Sequence, residues 1–596
     1  MFCTKCGANL PDGTVFCTSC GAPMNASAPA ATVAPAYSPE STISDPQTKE
    51  ATKIDVNAVK DQLSDTLKPV KKFFSKKSAR FGVIGGIVLV LAICIVCCIL
   101  FSGNGYVTVK QSVKLIPEDG TLNIVVDGKL LKDTIELPVV KDKNGDPVTE
   151  NGEKQYYDYS YSSSMDGKIT AIFVYNYITE YDEDGWYADS YYEGDLYVLK
   201  GKKLLTVAED VYDYDISVSG KGITYTTKNK KDEDDKFETY TLSLYNVGNK
   251  KTTTVSDEAM GLGEMSPNGK SVAYFVGEYN DTDKKVEGTL MLHSGKKSTE
   301  ITDKDVELLG LSNNGKYIYA VEHEENDNKT EYTLYCFNNK GKSSKLGEID
   351  DLGGMNKDHT QILFYEDGNT YIATKNKAAE KVSKKELELI APDSAGYFAN
   401  TAPVSNLYGQ VYSADADTGY DVYMIKEGGK DNKLVDGGYQ FTMDESGEYL
   451  YYTTKNNDLK CVKIGMSKNA KSKAVTIAED VVSYEVTSNR KYVYFINDDD
   501  ELLSVNGKKG GKTTEVCDED VYSIALSKKD VLFYLVKETG DKDGELFATK
   551  NGKAGKSVED DIERIGQSIT GIIYAYSGDD TYVSTGSNKM TLLELN

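Results

Sequence analysis

The chain has 596 residues and a formal net charge of −25. That length exceeds one ordinary compact domain, so several domains or a repeat architecture are expected. The 43 tyrosines and 52 glycines suit short strands and tight turns and argue against an all-helical protein. The excess of acidic residues lies beyond residue 80, and because such a surface repels phosphates we expect no nucleic-acid partner.

Two Cys-x-x-Cys knuckles stand at the N-terminus with ten residues between them, and a glycine directly follows each knuckle. Two residues between cysteines let one tight turn aim both thiolates at one ion, and glycine accepts the backbone that such a turn often requires. All four positions are filled by protein, so none is open for a catalytic water. The pattern predicts one structural Zn²⁺ bound by Cys3, Cys6, Cys17 and Cys20.

Residues 1–23, with both knuckles intact, resemble the short zinc ribbons that head many bacterial membrane proteins. In a segment this short, metal binding supplies the folding energy. Lys5 is the only basic residue of the ribbon, so contact with a protein is favoured over contact with a nucleic acid. We expect a cytoplasmic protein partner for the ribbon.

Two segments of different composition follow the ribbon. Residues 24–52 are rich in Ala, Ser, Thr and Pro and are predicted to be a disordered linker. Residues 53–80 carry apolar residues at helical spacing from Val56 to Val70 and end in a basic cluster. This pattern indicates either an interfacial helix at the inner leaflet or a partly helical, solvated linker.

The uncharged segment 81–101 is predicted to be a transmembrane helix. As a helix it spans about 31 Å, and it begins too late and is too long for a cleaved signal peptide. Six basic residues between 68 and 80 precede it, so the positive-inside rule places the N-terminus in the cytoplasm and the C-terminal part outside the plasma membrane. Gly82 and Gly86 allow close approach in a homodimer, although glycines are common in membrane helices anyway.

Beyond residue 160 one pattern recurs: a small polar turn, an alternating Tyr-rich strand, and a second strand. Radial stacking covers both faces of such units, so the period predicts a mainly β, propeller-type domain over 161–596. We expect about eight blades, within a range of about seven to ten, or two propellers. Residues 102–160 are expected to form a small β module or closing strands. Ten equivalent positions, with a mean spacing near 43 residues, mark the second strands: Tyr197, Tyr245, Met291, Tyr335, Tyr371, Tyr423, Lys460, Leu503, Phe547 and Tyr582.

The turn Ser266-Pro-Asn-Gly269 and the segment Ser446-Gly-Glu-Tyr-Leu-Tyr-Tyr452 resemble the repeats of TolB-like propellers and of uncharacterised bacterial surface proteins. The resemblance covers roughly 160–596. It implies a β-propeller at the cell envelope.

Signatures of catalysis are absent from the sequence, including hydrolase elbows, zinc-protease helices, phosphate loops and dinucleotide fingerprints. His293, His323 and His359 fall in different repeats and are predicted to be incidental strand or turn residues. We therefore expect no catalytic residue and no enzyme.

The leading function is a noncatalytic surface scaffold or signal transducer whose outer domain binds a protein or glycan. The alternatives are a surface hydrolase using carboxylates in the propeller channel, and a purely structural envelope protein.

Three acidic segments have the side-chain density of calcium loops, but Pro147 stands where an EF-hand loop needs glycine. They are predicted to be hairpin turns, with calcium binding as the alternative, and they are Asp142–Asp146, Asp182–Gly185 and Asp498–Glu501. Cys336, Cys461 and Cys517 are scattered singly, which predicts buried thiols rather than a disulfide framework.

Overall fold

The computed structural model describes residues 106–142, 144–150, 153–181, 187–229, 237–280, 285–326, 329–392, 400–428, 430–464, 474–538 and 540–595. All of them belong to the second of the two units into which the chain divides, Pro46–Asn596. The four predicted zinc ligands, segment 81–101 and Asp182–Gly185 lie outside the described residues. No helix within the described ranges is long and apolar enough to cross a membrane.

The regular elements of the described residues are all β-strands, which confirms the mainly β prediction. They form eleven mainly four-stranded units, which we call sheets 1 to 11 in chain order, and a separate hairpin of β5 (Thr149–Glu150) and β6 (Glu153–Lys154). Sheets 3 and 4 are joined into one larger sheet by the pair Ala259 and Val276. Sheets 1 to 4 consist of β1 (Val113–Glu118), β2 (Thr121–Val126), β3 (Lys129–Leu130) and β4 (Ile135–Glu136); β7 (Asp158–Ser163), β8 (Ile169–Tyr181), β9 (Tyr187–Lys200) and β10 (Lys203–Val211); β11 (Asp213–Ile216), β12 (Gly222–Lys228), β13 (Tyr240–Asn246) and β14 (Lys251–Ala259); and β15 (Glu264–Met265), β16 (Ser271–Asn280), β17 (Lys285–Ser294) and β18 (Lys297–Thr302).

Sheets 5 to 8 follow, and sheets 7 and 8 share one long strand, β31. They consist of β19 (Val306–Leu311), β20 (Tyr317–Asn326), β21 (Lys329–Asn338) and β22 (Ser343–Glu348); β23 (Asp351–Asn356), β24 (Gln361–Glu366), β25 (Asn369–Thr374) and β26 (Glu380–Ser383), with β28 (Thr401–Ala402) beside β23; β27 (Glu388–Ile390), β29 (Val411–Asp415), β30 (Tyr420–Lys426) and β31 (Lys430–Met443); and β31 with β32 (Tyr449–Thr453), β33 (Leu459–Lys463) and β34 (Val475–Ala478).

Sheets 9 to 11 complete the order with short, regular strands. They consist of β35 (Val481–Val486), β36 (Val493–Asn497), β37 (Leu502–Val505) and β38 (Thr514–Cys517); β39 (Val521–Leu526), β40 (Leu532–Val536), β41 (Gly544–Thr549) and β42 (Lys556–Ile562); and β43 (Arg564–Gln567), β44 (Ile573–Ser577), β45 (Asp580–Ser584) and β46 (Thr591–Leu592).

The ten positions that mark the sequence repeat all lie on the third strand of a sheet, from Tyr197 on β9 to Tyr582 on β45. The repeat therefore corresponds to one four-stranded antiparallel unit. Sheet 1 carries no such position and adds an eleventh unit, one more than the upper end of the expected range.

Each sheet is buried on both faces because its second strand is apolar at consecutive positions. On β40, Leu532 and Tyr534 pack against sheet 9, whereas Phe533 and Leu535 pack against sheet 11. Full burial of such side chains contributes about 1.5–3 kcal/mol each. A strand buried on one face alternates apolar and polar residues, whereas these second strands carry a continuous run of apolar residues.

The order of sheets closes on itself. Val125 of sheet 1 is buried with Ile572, Tyr574 and Val583 of sheet 11, while the opposite face of sheet 1 packs on sheet 2. First strands of several consecutive sheets contact one another, as β15 contacts β19, β35 contacts β39 and β39 contacts β43. We call the side of the sheets formed by their first strands the inner edge.

The polar turns of the repeat connect first and second strands and tie neighbouring sheets together. Ser266 Oγ accepts hydrogen bonds from the backbone N–H groups of Lys270 and Ser271 at 3.2 and 3.0 Å. Gly269 has φ +67°, and the Pro267 carbonyl accepts the Ser219 N–H at 2.9 Å. The Ser-Pro-Asn-Gly turn is therefore a structural joint between sheets 3 and 4.

The acidic segments that the structure describes are hairpin turns, as predicted. Asp142 accepts the backbone N–H groups of Asn144 and Asp146 with its own carboxylate, both at 2.9 Å. The turn at 498–501 is fixed by Asn497, whose side chain accepts the Glu501 N–H at 2.8 Å.

The three scattered cysteines are free thiols, and Cys336 and Cys461 are buried as predicted. Cys517 is only partly buried, so the prediction is wrong for that residue. The reason is its place at the end of β38, the outermost strand of sheet 9.

Candidate binding groove between sheets 6 and 7

Three adjoining clefts run along the boundary between sheets 6 and 7, and together we call them the sheet 6–7 groove. Their volumes are about 470, 290 and 650 Å³. Glu388 lines the first two, and Lys385 and Asp415 line the last two, so the clefts are continuous. The groove has an apolar end beside β23 and a charged end at the β29–β30 hairpin and β31.

The groove lies where the repeat is interrupted. First strand β27 is only three residues long, and the chain takes the long connection 391–410 before β29 begins. Part of that connection forms β28, which pairs with β23 in parallel through Met355 and Thr401. The apolar cleft lies beside this connection, and Asn400, Ala402 and Leu407 line it.

The charged end is built around one buried carboxylate, Asp421 on β30. Its Oδ2 receives Lys385 Nζ at 3.0 Å, Lys433 Nζ at 2.9 Å and the Tyr423 hydroxyl at 2.9 Å. The Gly437 N–H reaches Oδ1 at 3.4 Å. Four donors from three segments thus meet on one side chain and hold the wall of the groove in place.

The charges of this cluster stabilise one another. Burial alone would raise the pKa of Asp421, but the hydrogen bonds from Lys433, Lys385 and Tyr423 hold it well below its usual range. The pKa of Lys433 is raised by its contacts with Asp436 and Asp421, and that of Lys385 mainly by Asp421. The cluster is therefore fully ionised at neutral pH.

The apolar end is lined by two tyrosines whose hydroxyl groups are already used, of which Tyr365 is partly exposed and Tyr412 is buried. Tyr365 donates to the Leu387 carbonyl at 3.0 Å, and Tyr412 donates to the Leu407 carbonyl at 2.6 Å. Leu352 and Leu363 lie on the sheet 6 side. This end offers a ligand polar and apolar surface in similar amounts, and the partly exposed side chains of Leu352 and Tyr365 contribute to the apolar part.

Sequence reasoning missed the groove, because its residues are spread from 351 to 437 and no short motif joins them. One signal was visible. The positions Tyr371 and Tyr423 lie 52 residues apart, against a mean spacing near 43, and that interval contains the connection 391–410 beside the groove.

The three histidines lie at separate places, as predicted. His293 is buried with Nδ1 3.2 Å from Ser298 Oγ, and His359 is buried with Nε2 2.7 Å from Thr401 Oγ1. His323 is partly exposed, with Nε2 3.7 Å from Glu307. None of the three lines the sheet 6–7 groove.

Carboxylates also gather at the inner edge, on first strands β11 and β15. Burial raises the pKa of Asp215 to about 7, against the lowering effect of a hydrogen bond from the Ile216 N–H, and Asp213 adds like charge. Desolvation and Asp215 raise the pKa of Glu264 as well. No group of metal-binding side chains occurs among the described residues.

Solved structures that resemble this chain differ from it widely in sequence. Dipeptidyl peptidase 4 of Porphyromonas gingivalis is 11% identical, with 74% of this chain and 66% of that chain covered and a TM-score of 0.33. The tricorn protease is 11% identical, with 81% and 62% covered and a TM-score of 0.22. The β-propeller domain of the Trilobed protease from Pyrococcus furiosus is 14% identical, with 59% and 95% covered and a TM-score of 0.21. This chain thus spans less than two thirds of the first two, and no curated protein matches it.

Residues 2–24 match the family model of the zinc-ribbon domain. The match contains all four cysteines predicted to bind zinc, and four thiolates are the donor set of a closed structural zinc site. The N-terminal segment of this chain is a zinc-ribbon domain.

Proposed function

We propose that this chain is a membrane-anchored binding protein whose sheets form a single propeller-type domain outside the cell. On this proposal the outer domain binds a protein or glycan, and the zinc ribbon contacts a cytoplasmic partner, which makes the chain a scaffold or signal transducer. The anchor is segment 81–101, and the six basic residues before it support an N-terminus inside.

The observation that carries the proposal is the ion cluster of the sheet 6–7 groove. Asp421, Lys385 and Lys433 join strands β30 and β31 to the segment between β26 and β27. A binding site works best when its walls are fixed before the ligand arrives, because less conformational entropy is then lost. The groove combines such a wall with an apolar end, the usual make-up of a ligand site.

A pull-down from cell-envelope extract tests the proposal, using the full chain in mild detergent as bait. Ser413→Trp fills the groove from β29, and Val482→Trp is the matched control because Val482 is 45% exposed and lies on sheet 9. We expect wild type and Val482→Trp to retain a component that denatured bait does not retain. Ser413→Trp should lose it. Equal retention by both variants, or no enrichment at all, contradicts a binding role for the groove.

A surface hydrolase is the second candidate, and the inner-edge carboxylates favour it. A carboxyl group with a pKa near 7, as at Asp215, beside a second carboxylate is suited to general acid–base catalysis. A glycosidase and peptidase screen of the full chain tests this candidate. Turnover that Asp215→Asn or Glu264→Gln abolishes, and that Asp498→Asn leaves intact, would establish it in place of the noncatalytic reading.

A further inference from the structure

We propose that the ligand of the sheet 6–7 groove is a basic peptide segment, with lysine or arginine side chains at the charged end and an apolar side chain at the tyrosine end. The inference rests on the proposed binding role and specifies the chemistry of the ligand.

The first argument is charge. Seven acidic side chains line the groove against two basic ones. Both lysines are held by Asp421, and Lys433 also contacts Asp436. The other acids make no ion pair within the described part of the chain, and they are Asp351, Glu386, Glu388, Asp415 and Asp417. The groove therefore presents surplus negative charge, and a cationic ligand is its electrostatic complement.

The second argument is the position of those acids. Glu388 stands where the apolar cleft meets the middle cleft, and Asp415 stands where the middle cleft meets the charged one. The acids thus follow the length of the groove rather than one point in it. A ligand that satisfies them carries several cationic groups in sequence, as an extended peptide does.

The third argument separates a peptide from a polyamine. The apolar end is lined by the partly exposed side chains of Leu352, Tyr365 and Leu389, whereas Leu363, Leu387 and Tyr412 beside them are buried. A polyamine has no side chain to bury there, whereas a peptide with a leucine or phenylalanine beyond its basic residues fills the space. Tyr420, 44% exposed in the middle cleft, adds a ring over which a cation can sit.

The inference is tested with short fluorescent peptides and the full chain in detergent at physiological salt. The probe carries paired lysines followed by leucines. One control peptide has glutamates for the lysines, and the other has serines for the leucines. We expect measurable binding of the probe, no binding of the glutamate peptide, and binding of the serine peptide weakened about tenfold.

Matched variants separate the groove from the general acidity of the surface. Neutralisation of Glu386, Glu388 and Asp415 as Gln, Gln and Asn should weaken probe binding about tenfold or more. Asp498→Asn, Asp499→Asn and Glu519→Gln, three exposed acids of sheet 9 and the segment after it, remove the same charge and should weaken binding less than about twofold. Urea unfolding of both triple variants confirms that each remains folded.

Three results overturn the inference: equal losses in the two triple variants, binding of the glutamate peptide, or unchanged binding of the serine peptide, which would identify a polyamine-like ligand. Failure here differs from failure of the proposed function. If Ser413→Trp abolishes capture of an envelope component while the lysine peptide does not bind, the groove binds a ligand of another class.

Discussion

At the scale of single residues, one buried polar side chain is charged and another is neutral. Asp421 is buried with its charge because two lysines and a hydroxyl compensate for the lost solvation. His359 is buried without charge because burial disfavours the imidazolium, and its Nε2 lies 2.7 Å from Thr401 Oγ1. Each arrangement makes a different prediction about stability.

Asp421→Asn should destabilise the described sheets by about 1–3 kcal/mol, because two lysines lose the carboxylate that they share. The measurement is the midpoint of urea unfolding at pH 7. Asp436→Asn is the control, since the Asp436 side chain is 87% exposed and also contacts Lys433. Its effect should stay within about 0.5 kcal/mol. Equal effects of the two substitutions would show that burial of Asp421 does not matter.

His359 should make the protein sensitive to mild acid. Burial lowers the pKa of His359 to about 4 from an ordinary 6.5. The unfolded chain therefore binds the proton first, so stability is present above pH 6.5 and is lost as the pH falls toward 4. At pH 5 the loss is about 2 kcal/mol.

The test compares urea midpoints at pH 7 and pH 5. His359→Asn should lose less stability than wild type over this interval, because asparagine does not bind a proton in this pH range. Asparagine also tolerates the left-handed backbone at this position, where φ is +48°. His323→Asn, at a partly exposed site, should keep the wild-type loss. A wild-type loss in His359→Asn would refute the assignment.

At the scale of strands and turns, most elements of sheets 2 to 11 can be predicted from the sequence. The third strands were predictable because aromatic and β-branched residues recur there with a fixed period, and the first turns because serine and glycine recur at fixed offsets. For sheet 1 the sequence predicts only a small β module, because β3 and β4 are two residues each and no strand of this sheet carries a repeat position. Its place beside sheet 11 depends on contacts between residues more than 400 positions apart.

At the turn that joins sheets 3 and 4, replacement of glycine by alanine should destabilise the fold by more than the cost of a left-handed backbone. A Cβ at Gly269, where φ is +67°, would lie 2.4 Å from the Gly222 nitrogen. A Cβ at Gly295, where φ is +72°, would meet nothing within 4 Å. Gly295→Ala should therefore cost about 1–2 kcal/mol from the left-handed backbone alone. Gly269→Ala should cost clearly more in the urea midpoint, and equal costs would mean that the turn shifts freely.

At the scale of the whole molecule, the architecture was more predictable than the binding site. Burial on both faces forces each sheet to find two neighbours, and closure of sheet 11 on sheet 1 satisfies the last faces. The groove lies beside one departure from that regularity, the connection 391–410. The sequence of this connection does not indicate which strands it lies between. A repeated unit can be predicted from a short stretch of sequence, whereas the effect of an interruption in the repeat depends on which sheets lie beside it in the folded chain.

The last prediction concerns the zinc ribbon and the membrane topology together. The full chain, purified under reducing conditions, should contain one zinc ion, and Cys17→Ser with Cys20→Ser should abolish it because half of the thiolates are lost. Cys517→Ser, a partly buried thiol of sheet 9, is the control and should keep the zinc. The urea midpoint of the sheets should be the same in all three proteins, because the hydrophobic clusters of the sheets contain no residue of the ribbon.

External protease on intact cells should cut the part beyond residue 103 and spare the ribbon, since the basic flank keeps the N-terminus inside. Loss of the ribbon in unbroken cells would reverse the topology, and a chain without zinc under reducing conditions would remove the metal site.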